Sequence, residues 1–289
     1  MYYIFNFKRS AAVFSMVLMC ILIVGASAAS FTASPAAADD SKLRIPIIMY
    51  HGFSESTTRR NQYMISPDCL EEDLKYLKEH GYTTIFLSEL TEHFKSGLEL
   101  PEKPIILTFD DGYYDNYVYA WPLLEKYECK AVISPIGKAA DEAENEEYRS
   151  VLWSQCTWEE LKEMSDSGFV ELQNHTYDLH KLNKGWQGAA AKTGESDDDY
   201  KQRLSEDLLK SNAQIQEVTG NVPDAVVYPF GAKSDTTEDI VRSLGFSAAL
   251  DCEEKINYID SPDDLFQLHR FLRPDNISSA DFFGKFEKI

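Results

Sequence analysis

The sequence predicts an α/β fold, a single domain of parallel strands covered by helices and arranged either as a barrel or as an open sheet. From Leu43 onward, short β-rich runs alternate with amphipathic stretches of helical period, the order that builds a parallel sheet. No internal repeat and no long linker divides residues 44–285, so this region is read as one domain preceded by a flexible linker, 29–43. Hydrophobic residues make up 44% and aromatics 12% of the chain, a globular composition and not a disordered one.

The first strand is LRIPIIMYH (43–51). A helix spans 66–81, where Ser66 can cap, Pro67 suits the first helical position, Leu70, Leu74 and Leu77 form one apolar stripe, and Gly81 can terminate it. YTTIFLS (82–88) reads as a strand, 89–97 as a short helix, and PIILTF (104–109) as the next strand. A helix over 113–127 is expected to kink or break at Pro122. AVISPI (131–136) is a strand, TWEELKEMSDSG (157–168) a helix capped by Thr157, and FVELQ (169–173) a strand. The polar segment 183–199 reads as a loop insertion. Helix 200–219 presents Leu204, Leu208, Ile215 and Val218 inward; DAVVYPF (224–230) is a strand, 235–244 a helix and FSAAL (246–250) a strand.

At the N-terminus, Lys8 and Arg9 precede an uncharged run from Ala11 to Val24 that passes into GASAAS. This is the layout of a secretory signal over 1–28, with an A-x-A-like site at Ala26-Ser27-Ala28 and a second site after Ala36-Ala37-Ala38. The run is also long enough to serve as an uncleaved membrane anchor. The protein is therefore expected to be secreted or held at the cell surface, with this segment as its only membrane contact. Cys20 lacks the small preceding residues of a lipoprotein cysteine and reads as packing within the apolar run.

The chain carries 28 basic and 48 acidic side chains, and removing residues 1–28, which hold two basic and no acidic ones, changes the net charge from -20 to -22. Such a surface repels nucleic acid and anionic polymers, leaves neutral or cationic partners compatible, and keeps an exported protein soluble. Cys69, Cys129, Cys156 and Cys252 permit two disulfides outside the cell but form no CxxC pair and no zinc-finger spacing.

Several strands end in unusual polar residues: His51, the pair Asp110 and Asp111, Asn174 with His175, and Tyr228-Pro229-Phe230-Gly231. In a parallel α/β fold, functional groups collect at the C-terminal ends of strands, so these would share one rim. His175 and His180 are five residues apart, about 140° around a helix, which favours a loop over a helical face for bringing them together. Two imidazoles and one carboxylate make a three-ligand set for a divalent metal; Zn²⁺ suits it, and Co²⁺, Ni²⁺ and Fe²⁺ are compatible. Asp178 in the same loop is an alternative to Asp111, or simply a solvated turn residue. At Asp110 and Asp111, a bend beginning at Gly112 would bring both carboxylates to one side, one on the metal and one free to accept a proton. A bare Asp-Asp-Gly is also an ordinary turn and helix cap.

TFDDG (108–112), the histidine segment 175–180 and YPFG (228–231) together resemble the polysaccharide deacetylase family, the NodB-homology carbohydrate esterases, over most of residues 44–285. The resemblance implies a distorted (β/α) barrel and metal-assisted removal of N- or O-acetyl groups from a polysaccharide. It implies Asp110 as general base, Asp111, His175 and His180 as metal ligands, and the backbone N–H of Tyr113 as an oxyanion donor. Thr176 would orient the histidine loop and border the groove, with Tyr228, Pro229, Phe230 and Gly231 shaping its wall. Three features depart from the common pattern: Leu179 stands where the second histidine is usual, Val226 and Val227 occupy the place of an arginine, and the C-terminal histidine motif is represented only by His269 in LHRFLRP. These departures resemble the poly-β-1,6-N-acetylglucosamine deacetylase branch, whose wider histidine spacing and strand ending in YH imply His51 as the general acid, with His269 the other candidate. The implied substrate is a polysaccharide containing N-acetylglucosamine, in an exopolysaccharide or the cell wall, with peptidoglycan or xylan deacetylation and a silent carbohydrate-binding role as alternatives; a monomer is expected.

Overall fold

The computed structural model describes residues 42–287. The signal or anchor segment, Cys20 and the linker up to residue 41 lie outside the described residues. Leu43, read both as the end of the linker and as the start of the first strand, belongs to the strand. The run expected as one strand over 43–51 is two: β1 (Leu43–Ile45), antiparallel to β13 (Asn257–Ile259), and β2 (Ile47–Tyr50). Pro46 separates them, because it has no N–H to give to a ladder.

The fully buried β6 (Pro104–Asp111) lies parallel between β2 and β7 (Ala131–Pro135), and β7 pairs in parallel with β8 (Val170–Leu172). The far edge of β2 takes β14 (Phe271–Leu272), and β11 (Ala225–Val227) with β12 (Ala248–Leu250) forms a parallel panel. Two single bridges join that panel to the rest: Asn174 to Val226 beyond β8, and Leu250 to Leu268 just before β14. The ring β2-β6-β7-β8-β11-β12-β14 therefore closes, in chain order, as a distorted parallel barrel.

Alternation decides which residues line it. Ile47, Ile106, Val132, Val227 and Leu250 pack together on one side of the strands, while their neighbours Ile48, Leu107 and Ile133 pack in the cluster shared by α1 (Pro67–Glu79), α3 (Trp121–Tyr127) and α5 (Trp158–Asp166). Val226 and Ala249 likewise pack with α6 (Asp197–Thr219) and α7 (Thr237–Ser243). Thr108, Asp110, His51 and His175 share the inner parity of their strands, so the period of two delivers them to the barrel's interior and mouth.

Several boundaries differ from expectation. In 82–88 only β5 (Thr83–Thr84) is extended, paired with the start of β6, and α2 (Leu87–Ser96) begins two residues earlier than predicted because the Glu171 carboxylate accepts the N–H groups of Leu87 and Ser88. The helix expected over 113–127 contains a π turn at Asn116–Ala120 leading into α3, with Pro122 in the first turn of α3, where its missing N–H is tolerated. The polar insertion contains a two-stranded hairpin, β9 (Leu182–Asn183) with β10 (Trp186–Gln187), and ends at Ser196, which caps α6. That helix starts at Asp197, three residues before the predicted start, with three aspartates in the first turn where the dipole favours them. The predicted strand 246–250 is extended only from Ala248. All four described cysteines are free thiols, three of them buried.

A buried ion pair ties the first helix to the C-terminal segment. Arg273 Nε and Nη2 donate to both carboxylate oxygens of Asp73 at 2.8–3.1 Å, and Tyr50 Oη donates to Asp73 Oδ2 at 2.9 Å. We expect Asp73→Ala to cost about 3–5 kcal/mol in urea unfolding, because it strands a buried guanidinium. A pH dependence is expected from Glu171. Burial pushes its acid up to about 7 from an ordinary 4.5, with Asp224 adding to the rise and Ser88 opposing it. The fold then binds this proton more tightly than the unfolded chain, so stability declines as pH rises from about 4.5 to 7 and does not recover above. Glu171→Gln should shrink the difference between urea midpoints measured near pH 5 and near pH 8.

Candidate active site

At the C-terminal ends of the strands a cleft of about 650 Å³ is lined by His51, Asp110, Asp111, Tyr113, His175 and His180, with Met49, Tyr63, Leu182, Gln187, Phe230, Cys252, Glu254 and Leu272. Residues from the ends of six barrel strands, β2, β6, β8, β11, β12 and β14, thus meet around one cavity. The two aspartates reach it by different routes. Asp110 has the inner parity of β6. Asp111 should point away, but its backbone is left-handed (φ 72°), so the bend begins at Asp111 itself and not, as expected, at Gly112. Gly112 continues it with φ 73°, and a Cβ there would stand 2.9 Å from Pro135 Cβ. Thr176 (φ 73°) and Phe230 (φ 60°) are left-handed too. Three of the four non-glycine residues with positive φ among those described therefore sit in or beside this cleft, where backbone strain persists only if the surroundings hold it.

Asp111 Oδ1 lies 3.3 Å from His175 Nε2 and 3.3 Å from His180 Nε2. His175 Nδ1 lies 2.8 Å from the carbonyl of Val227, which can only accept, so Nδ1 carries a proton and Nε2 is the atom that faces Asp111, as a donor when the ring is charged and with a free lone pair when it is neutral. Outward N–H to a carbonyl is the usual second contact of a metal-binding histidine. Donors about 2.0–2.1 Å from a common tetrahedral centre lie roughly 3.3–3.4 Å apart, so the observed spacing fits a divalent cation. Burial pushes the Asp111 acid up, but contact with His175 and the nearby His180 outweigh it and hold the carboxyl below the ordinary range. His175, with burial opposing, is raised by the same carboxylates, whereas burial lowers His180.

The histidine loop is held from behind. Asn174 Oδ1 accepts the Thr176 N–H at 2.7 Å while its amide donates to Leu208 O and Asn212 Oδ1, and Thr176 Oγ1 accepts the Leu179 N–H at 3.3 Å. Thr176 is fully buried, which suits orienting the loop and removes it from the groove surface. His180 packs on Phe230, ring centroids 4.4 Å apart. Asp178 is not in the cluster; it pairs with Lys181 and Lys138.

Asp110 is held differently. Arg270, with no exposed surface, donates from Nη1 to Asp110 Oδ1 at 2.6 Å and from Nη2 to Oδ2 at 2.9 Å, while its Nε donates to the carbonyl of Asp251. Burial would raise the Asp110 acid, but the Arg270 charge, then His175 and His51, hold it below the ordinary value. Arg270 was not among the residues singled out in the sequence. The signal was present, an arginine inside LHRFLRP entering a β run, next to His269.

Other candidates separate clearly. His51 lines the cleft, while His269 bonds through Nδ1 to Asp251 at 2.9 Å and borders a different, smaller pocket with Asn257 and Lys255. Tyr113 lines the cleft as well, and its bridge to Gln155 is flanked by Tyr114 N–H to Ser154 O and Cys156 N–H to Gly112 O. In that register the Tyr113 N–H is directed away from Gln155 and is not used by the pairing. Of the YPFG residues only Phe230 lines the cleft. Tyr228 and Pro229 are buried, Tyr228 in the outer cluster with Tyr200 because it has the parity of Val226, and Gly231 abuts Cys252. The expected groove wall is thus carried by Phe230, Leu182, Gln187 and Tyr63.

Fold and site define a parallel α/β barrel with a three-donor set that could hold a cation, beside a separately anchored carboxylate. The chain belongs to the polysaccharide deacetylase family, which residues 97–249, more than half of its length, match. It is 25% identical over 224 residues to the poly-β-1,6-N-acetyl-D-glucosamine N-deacetylase of Escherichia coli strain K12, a match covering 69% of this chain but 32% of that protein. The Staphylococcus aureus protein of the same name is 28% identical over 203 residues, 70% of this chain and 66% of that one. Among solved structures, the de-N-acetylase of Aggregatibacter actinomycetemcomitans superposes with a TM-score of 0.70 at 26% identity, covering 84% of this chain and 99% of that chain.

The donor geometry predicts that Asp111→Ala, His175→Ala and His180→Ala each weaken zinc binding, measured by equilibrium dialysis, by at least about tenfold, the scale found even for outer-shell partners. Asp178→Ala should leave it unchanged.

Proposed function

We propose that the protein is an exported, metal-dependent N-deacetylase that hydrolyses N-acetyl groups of N-acetylglucosamine units in an exopolysaccharide or cell-wall glycan, acting as a monomer. The observation that carries this reading is the meeting, in one cleft, of the Asp111–His175–His180 donor set with the ionised, arginine-held Asp110 and with His51. The names of the relatives support N-acetylglucosamine polymers as the substrate class.

Asp111, His175 and His180 would hold a divalent cation, most simply Zn²⁺, which would supply Lewis-acid polarisation of the acetyl carbonyl and acidify water. Asp110, kept ionised by Arg270, accepts the proton of the attacking water as general base. The unused Tyr113 N–H stabilises the charge that develops on the carbonyl oxygen. His51 donates to the departing nitrogen. Burial holds its imidazolium below the usual 6.5 despite the opposing charges of Asp110 and Asp111, which makes it a stronger acid than a free histidine. Phe230, Leu182 and Tyr63 offer apolar surface to the sugar faces, and the net charge of -20 does not oppose a neutral polymer or its cationic product.

Acetate release from β-1,6-linked N-acetylglucosamine oligomers tests the reading. Chelator-treated protein should lose turnover and regain it with added zinc or cobalt, and Asp110→Asn should lower kcat by about 10²–10⁴ while oligomer binding persists. Release from acetylated xylan or peptidoglycan alone would transfer the activity to those polymers, and binding without any release would make the chain a carbohydrate-binding relative.

A further inference from the structure

The turn that carries His51 is built from outside its own strand. Its ring contacts the edge of Tyr63 at a centroid distance of 5.1 Å, and its Nδ1 is buried without a hydrogen-bond partner among the described residues. The position of the imidazole therefore depends on the backbone of residues 51–53, and that backbone is gripped on two sides. On one side the Gly52 N–H donates to Tyr63 O at 3.1 Å and the Ser54 N–H to Ile65 O at 2.8 Å, within the pairing of β3 (Gly52–Phe53) and β4 (Met64–Ile65). On the other side stand Asp115 and Asn116, the last two residues of the hydrophilic stretch DDGYYDN and the start of the π turn. Asn116 Nδ2 donates to the carbonyl of His51 at 2.8 Å and to Asp115 Oδ1 at 2.8 Å. The Asp115 carboxylate also faces the backbone N–H of Phe53, which favours its charged form against burial.

Both side chains are closed off from solvent, Asp115 at 2% and Asn116 at 0% exposure. A Cβ at Gly52 would stand 2.9 Å from Asp115 Oδ2 and 2.9 Å from Met64 Cε, so only glycine lets the turn come this close. No lysine, arginine or histidine among the described residues forms an ion pair with Asp115. A buried carboxylate without a cation is a costly way to fill space, and an apolar residue would stabilise the fold more. What a carboxylate does provide is two acceptor oxygens: Oδ1 takes the Asn116 amide and fixes which way it faces, and Oδ2 stands against the turn at Gly52.

We propose that Asp115 and Asn116 are positioning residues that clamp the His51–Phe53 turn and thereby hold the His51 imidazole where it can protonate the departing nitrogen. This rests on the reading of His51 as proton donor. Neither residue lines the cleft, and the side-chain contacts they make toward the site run to the His51–Phe53 turn.

The test uses the full chain with zinc supplied and two substrates. An N-acetylglucosamine oligomer has an amine leaving group that must be protonated; 4-nitrophenyl acetate has one that leaves without a proton. Asn116→Ala, and the nearly isosteric Asp115→Asn, should lower kcat on the oligomer by roughly tenfold or more, part of the range a general acid supplies, with KM unchanged. Hydrolysis of the aryl ester should stay within about twofold, and Asn116→Ala should cause no further loss in a His51→Ala background. Equal losses on both substrates, additive losses in that background, or full oligomer turnover in both variants would overturn the clamp. His51→Ala with undiminished oligomer turnover would instead sink the proton-donor reading, whatever the Asn116 variant does.

Discussion

The two hydrogen bonds from Arg270 to Asp110 are the contact on which the cleft depends. β6 delivers two carboxylates side by side into the protein interior, and two buried like charges cannot both stay ionised unless each is compensated. Arg270 compensates Asp110 from inside the barrel, while Asp111 faces two imidazoles. The aspartates are thus chemically unlike although they are neighbours in sequence. Because the guanidinium also ties to Asp251 O and reaches Thr108 Oγ1, it fixes the carboxylate relative to three strand ends.

Placement follows from the period of the strands and one break in it. Inner parity brings His51, Asp110 and His175 to the mouth of the barrel without special devices. Asp111 belongs to the wrong parity, and the left-handed backbone at that residue turns it back. A non-glycine residue held there costs of order 1–3 kcal/mol, which the fully buried, doubly paired β6 can impose.

Much of this was legible in the chain. The β-then-α order predicted parallel strands under helices, as a barrel or an open sheet, and the polar strand ends with the DDG and HTYDLH motifs predicted a rim and a donor set, because each signal is local; the barrel came with the family resemblance. What escaped needs distance: Arg270 meets Asp110 across 160 residues, and Asn116 reaches His51 across 65. Short strands such as β5 also escaped, since tertiary contacts from Glu171 begin the next helix early. Tyr228 was misplaced because YPFG reads as one unit although the strand's alternation sends Tyr228 outward and the φ of Phe230 sends that ring into the cleft.

The barrel's two single-bridge joins have a mechanical consequence. The β11–β12 panel is attached to its neighbours by one residue pair at each side, and the segments that follow these strands supply Phe230 and Cys252 to the cleft. β6, by contrast, is laddered to both neighbours over four residue pairs each. A wall with few shared hydrogen bonds opens at lower free energy than a fully laddered one. Because Val227 O holds His175 Nδ1 and Asp251 O holds Arg270 Nε, an opening of this wall is transmitted to a cation-site histidine and to the anchor of Asp110.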